Sequence, residues 1–192
     1  PRRDCAPTLR SDALGRGDAY RWTEALYNAA GRDAETIPWA ELVPTPHLIA
    51  WRAGRPVTDW SDYYLFAAAA KRQPSCDFAV IPDVIDGTET DNDTLLAEWP
   101  LPTWFGAPVW HLHESFDRLV RLVADYPRVC FGNSGEFAQI GTPDWWRRMH
   151  EAMRVVCDDA GQPACRIHGL RMLDPRIFSK FPFASADSTN IG

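Results

Sequence analysis

Acidic, imidazole and glycine residues recur in this chain at the ends of short apolar runs. "FAVIPDVIDG" places Asp83 just past such a run, and "PVWHLHES" places His111, His113 and Glu114. "RVCFGNSGEF" places Gly132, Asn133, Ser134 and Glu136, "CRIHGLR" places His168 and Gly169, and "FASADSTN" places Asp187, Ser188 and Asn190. Two carboxylates in different surroundings divide chemical roles well, one attacking as a nucleophile and the other recognising a substrate. Asp83 and Asp187 are the candidates. Glycines at such ends let a flat ligand approach the backbone and use its N–H groups. Trp110, Phe131 and Phe137 offer rings for stacking, although aromatic residues of this kind also fill cores.

Each motif alone has a plainer explanation. An Asp after a strand more often caps a turn or helix than catalyses, and a strand His is usually a packed residue. Recurrence separates the two readings: five successive run ends carry polar or glycine residues, while the opposite ends carry "SCD", "GA", "YP" and "QP". A shared pocket explains that asymmetry.

"HLH" together with His168 also has the makings of a zinc site, with His111, His113 and His168 as ligands that would activate water. In a strand, His111 and His113 would point to one face. The acidic stretch "DGTETDND" lacks the order and the closing Glu of a calcium loop, so it reads as an acidic helix start.

The elements that must position these residues alternate. Strands are expected over 78–82, 108–113, 128–132, 164–169 and 183–187, with helices over 88–99, 115–126 and 142–161, and a shorter segment over 174–181. Ser115 is placed to cap the second helix, whose apolar face would be Phe116, Leu119, Val120 and Val123. Thr142 and Pro143 start the third, which would run to Gly161. Arg147, Arg148 and Arg154 would face solvent on that helix. The alternation is that of βα units on a parallel sheet, and the expected fold is α/β, a TIM-type (β/α) barrel, short or incomplete, since a full barrel needs about 250 residues. A single domain over 1–192 is expected, with a less regular part at 1–56; helices are expected over 19–31 and 60–72, the latter capped by Ser61, and a strand over 47–51.

The 192 residues suffice for one sizeable core, and 45% hydrophobic content with nine Trp and nine Phe excludes a disordered chain. A net charge of −6 provides no global field for a polyanion and leaves only a local basic patch for that purpose. Cys5, Cys76, Cys130, Cys157 and Cys165 are scattered without a CxxC pair, which argues against structural zinc and a disulfide framework and for a reducing cytoplasm. No apolar run approaches the roughly 20 residues that span a bilayer, and no membrane association is expected. A chain that opens on Pro1 rather than Met is expected to be a processed or excised piece.

In order and spacing, these motifs over residues 57–192 resemble the tRNA-guanine transglycosylase superfamily, most closely its phage-type DNA 7-deazaguanine transglycosylases. "FAVIPDV" resembles the strand whose terminal Asp, here Asp83, recognises the purine base. "VWHLHES" resembles the strand whose glutamine reads the base, with His113 in its place. "CFGNSGEF" resembles the glycine-rich strand end that contacts the base, implicating Gly132 and Asn133. "CRIHGL" with "PFASADSTN" resembles the last strands, which implies Asp187 as the nucleophile and His168, Gly169 and Ser188 as substrate-binding residues. The resemblance implies base exchange in nucleic acid, DNA rather than tRNA, with a purine-like base as second substrate and no cofactor. The family's early acid/base Asp has no counterpart near "HLIAWRAGRPV", and its cysteine-rich zinc site and basic tRNA-binding extension have none either.

Overall fold

A computed structural model describes residues 41–42, 57–73 and 76–187. The helix expected over 19–31, the strand expected over 47–51 and the candidates Ser188 and Asn190 lie outside the described residues. The chain divides into two compact units, Pro1–Val80 and Ile81–Gly192.

In the first unit, strand β1 (Glu41–Leu42) pairs in parallel with β2 (Phe78–Val80), Glu41 opposite Phe78. Helix α1 (Ser61–Ala70) buries Tyr63, Phe66, Ala67 and Ala70, and the Tyr63 hydroxyl donates to the Val80 carbonyl at 2.5 Å. Ser61 is not its cap, contrary to expectation. Trp60 occupies the cap position, and the Asp59 carboxylate accepts from the Ser61 amide at 2.9 Å, as a shorter acidic side chain just ahead of a helix readily does.

The second unit carries a four-stranded parallel sheet in the order β4 (Val109–His111), β5 (Arg128–Gly132), β6 (Arg166–Gly169), β7 (Ser185–Ala186). Ahead of it come helix α2 (Glu89–Glu98) and the short β3 (Gly106–Ala107), whose Ala107 carbonyl accepts from the Ile81 amide at 2.9 Å. Between the sheet strands run α3 (Phe116–Asp125), α4 (Pro143–Val156) and α5 (Pro175–Phe178). Parallel strands separated by helices make this an α/β fold. No helix among the described residues is long and apolar enough to cross a membrane.

Local sequence accounts for most of the helix starts. The Thr88 hydroxyl and the Asp91 carboxylate form a reciprocal capping box at α2, the Ser115 hydroxyl accepts from the Arg118 amide at α3, and the Thr142 hydroxyl accepts from the Trp145 amide one residue before Pro143. Helix α4 buries Trp145, Met149, Ala152, Met153 and Val156, spaced three or four apart. It stops at Val156 rather than continuing to Gly161. Beyond it Cys157 pairs with Pro163, and the Asp158 carboxylate collects the amides of Ala160 and Gln162, which turns the chain back instead of extending the helix. On α3 the buried face is Arg118, Leu119 and Leu122; Val120, expected inward, is exposed. The core gathers Trp110, Phe131, Trp145, Met149 and Ile167 between sheet and helices, all fully buried.

Candidate functional site at the carboxyl edge of the sheet

Because the four strands are parallel, their carboxyl ends share one edge. The register aligns His111 with Gly132, Phe131 with Gly169, and Gly169 with Ala186, one residue before Asp187. The residues singled out at strands 4 to 7 therefore collect along one side of the sheet, the usual place for ligands in parallel α/β folds.

Asp83 follows β2 and is buried, and its Oδ2 lies 2.7 Å from His111 Nε2 at the tip of β4. Around this pair the backbone is tightly held. Glu114 Oε2 accepts from the His111 amide at 2.8 Å and from the Arg118 guanidinium at 2.6 Å, and Glu114 Oε1 accepts from Asn92 Nδ2 at 2.9 Å. Asn92 Oδ1 in turn accepts from the Val84 amide at 2.7 Å, just after Asp83. Arg118 also donates to the Val109 carbonyl and to Asp93. Glu114, one of the expected site residues, is thus the centre of a buried polar lattice. A carboxylate so fully satisfied fixes geometry, and removing one partner would strand a buried charge.

His113 lies past the end of β4, in a turn, and not in the strand as its spacing suggests. The turn still brings its ring against that of His111, with centroids 5.7 Å apart and planes at 22°. His113 Nδ1 lies 2.6 Å from the Ser134 hydroxyl, itself buried after β5. Gly135, at φ +54, carries the chain under the His113 ring, where a side chain would be strained.

Asn133 is engaged at both ends of its amide. Its Oδ1 accepts from Trp145 Nε1 at 2.7 Å and its Nδ2 donates to the Leu170 carbonyl at 3.0 Å, so it ties α4 and the β6 end to the glycine strand. His168 is fully buried inside β6, with Nδ1 2.9 Å from the Ser185 hydroxyl of β7. Burial, followed by the positive charge of Arg128, pulls its pKa down to about 4. Gly169 accepts the Asp187 amide at 3.2 Å.

Asp187 is half-buried just after β7 and accepts a hydrogen bond through Oδ1 from the Arg171 amide. Burial raises its pKa above the usual carboxylate value, against that bond, which works the other way. A more basic carboxylate is a better nucleophile while still ionised near neutrality.

The zinc set is not assembled. His111 faces Asp83 and Gly132, His168 faces Ser185 within the sheet, and among the described residues no three His, Cys, Asp or Glu gather as metal ligands. Arg148 corrects another expectation. Instead of facing solvent, it lies flat on Phe116 at 3.9 Å from the ring centroid and donates to the carbonyls of Leu112 at 2.7 Å and Glu114 at 2.5 Å, on either side of His113. Arg147 does face solvent, paired only with Asp144 on its own helix, and Arg154 is exposed.

Sequence reasoning missed Asn92, Arg118 and Arg148 as parts of the site's frame. The i,i+4 spacing of Glu114 and Arg118 was a readable signal for one of them. Comparison of the chain with protein-family models, curated proteins and solved structures finds no match.

Proposed function

We propose that the chain is a transglycosylase-like enzyme that exchanges guanine for a 7-deazaguanine base in nucleic acid, DNA rather than tRNA, on a sheet that belongs to a TIM-type barrel. The observation that supports it best is the shared carboxyl edge, on which Gly132 and Gly169 lie in register and which ends at a half-buried carboxylate of raised basicity, Asp187. In this reading an Asp187 oxygen attacks the anomeric carbon, the carbon–nitrogen bond to guanine breaks, and its electron pair leaves with the base, which takes up a proton. The incoming deazaguanine then attacks the same carbon with its ring nitrogen, loses that nitrogen's proton, and expels the Asp187 carboxylate. Asp83 accepts from the donor edge of the heterocycle, and His113 reads beside it.

A covalent intermediate is the sharpest test. Incubated with a guanine-containing DNA oligonucleotide and a 7-deazaguanine, the wild-type chain should yield a mass equal to protein plus the debased strand, and Asp187→Ala should yield none. Base exchange that persisted in Asp187→Ala would end this reading.

A second reading, a binding module without turnover, is favoured by one observation. Asp83 is already engaged by His111 and almost closed to solvent. It predicts nucleoside binding with no adduct under the same conditions.

A further inference from the structure

We infer that His111 is a positioning residue for Asp83, held in one tautomer by the glycine at position 132. The inference rests on the base-reading role of Asp83 proposed above. His111 is 3% exposed, and its Nε2 lies 2.7 Å from Asp83 Oδ2. The other ring nitrogen, Nδ1, is buried and meets no hydrogen-bond partner among the described residues. It looks onto the backbone of Gly132, where a Cβ would come within 2.8 Å of Nδ1 and 3.0 Å of Val109 Cγ1. A side chain at 132 would force the His111 ring, the Val109 side chain or the backbone to shift.

A neutral imidazole carries one N–H and one bare nitrogen. With the proton on Nδ1, a donor is buried without an acceptor, and the bare Nε2 meets a carboxylate lone pair at 2.7 Å. With the proton on Nε2, the ring donates to Asp83 Oδ2 and the bare Nδ1 rests against a glycine Cα–H. The second arrangement satisfies both groups, and it is favoured by a factor of roughly ten or more. A doubly protonated ring would again leave an unmatched N–H at Nδ1. The ring's root is fixed as well, since Glu114 holds the His111 amide, and the His113 ring covers one flank.

The outcome is an Asp83 carboxyl whose Oδ2 is occupied by the His111 donor, so that a ligand's donor would have to be met by Oδ1. Such a site takes a heterocycle that presents N–H donors, as a guanine-type edge does, and rejects one that presents a lone pair at that point.

Side-chain 15N and 13C NMR on the free, full chain reads the tautomer without any ligand. The expected result is an Nε2–H, Nδ1-bare imidazole for His111. An Nδ1–H or doubly protonated ring would overturn the inference. Calorimetry with guanosine then compares variants: His111→Gln, whose amide nitrogen reaches where Nε2 lies, should stay within about threefold of wild type, while His111→Asn should lose roughly tenfold or more. Equal binding by wild type and His111→Asn would also overturn it. If the wild type itself fails to bind guanosine, the base-exchange reading falls. The positioning role then stands or falls on the tautomer and on whether His111→Asn moves the Asp83 carboxyl 13C shift, as a lost donor must.

Discussion

At the scale of single residues, burial sets the protonation of two groups at the sheet edge, His168 and Asp187. The larger shift is at His168. Its pKa is about 4 in the fold against 6.5 in the unfolded chain, so between those values the folded state binds fewer protons than the unfolded one. Stability must therefore rise with pH across that window, be complete above about 6.5, and be lost as pH falls toward 4. A shift of that size is worth roughly 3 kcal/mol. Urea unfolding between pH 4 and 7 should show His168→Asn to have a flatter dependence than wild type, and identical slopes would mean that His168 does not titrate as buried. Asp83 and Asp187 were legible as strand-end carboxylates because an apolar run that stops at an acid is visible in one dimension. The Asp83–His111 contact was not, since it joins residues 28 apart whose meeting depends on where β4 lies beside the loop after β2.

At the scale of elements, what was legible followed local rules. Strand β5 matches its expected span of 128–132 because a run buried on both faces shows as an apolar stretch, Val129–Phe131, between Arg128 and the Gly132 end. The caps at Ser115 and Thr142 were equally local. Arg148 was not legible, because hydropathy counts a guanidinium as a surface group even where its planar fork stacks on a ring and serves two carbonyls. Val120 erred in the other direction, since a β-branched residue at helical spacing lies just off the face that Leu119 and Leu122 bury. Arg148→Met should destabilise the chain by about 3 kcal/mol, because two carbonyls beside His113 lose their donor. Arg148→Lys should recover less than half of that loss, as one ammonium cannot span both carbonyls while lying flat on Phe116. Chemical denaturation of the three proteins checks this, and full recovery by Lys would show that charge alone matters there.

At the scale of the whole molecule, charge limits how a nucleic acid can be held. A net charge of −6 provides no global field for phosphates, and among the described residues Arg118, Arg148 and Arg176 are engaged with acceptors on the chain itself. Each phosphate neutralised adds about 0.7 to 0.9 to the slope of log affinity against log salt. Fluorescence anisotropy with a guanine-containing DNA oligonucleotide from 50 to 200 mM salt, as sketched by that relation, should give a slope magnitude below about 3. A slope above about 5 would require a basic face, and recognition would then rest on the backbone and not on the base.

The turn that carries Arg171 offers a view of the sheet edge. This exposed residue adopts φ 60, a conformation rare for a residue with a side chain, and it contributes its amide to Asp187. The bond is made by the main chain, while the positive charge of the Arg171 side chain separately lowers the Asp187 pKa. Asn or Gly would adopt the same backbone with less strain. Position 171 is thus an attachment point for a reporter group, one hydrogen bond from the Asp187 carboxylate, where the state of the sheet edge is read without rebuilding it.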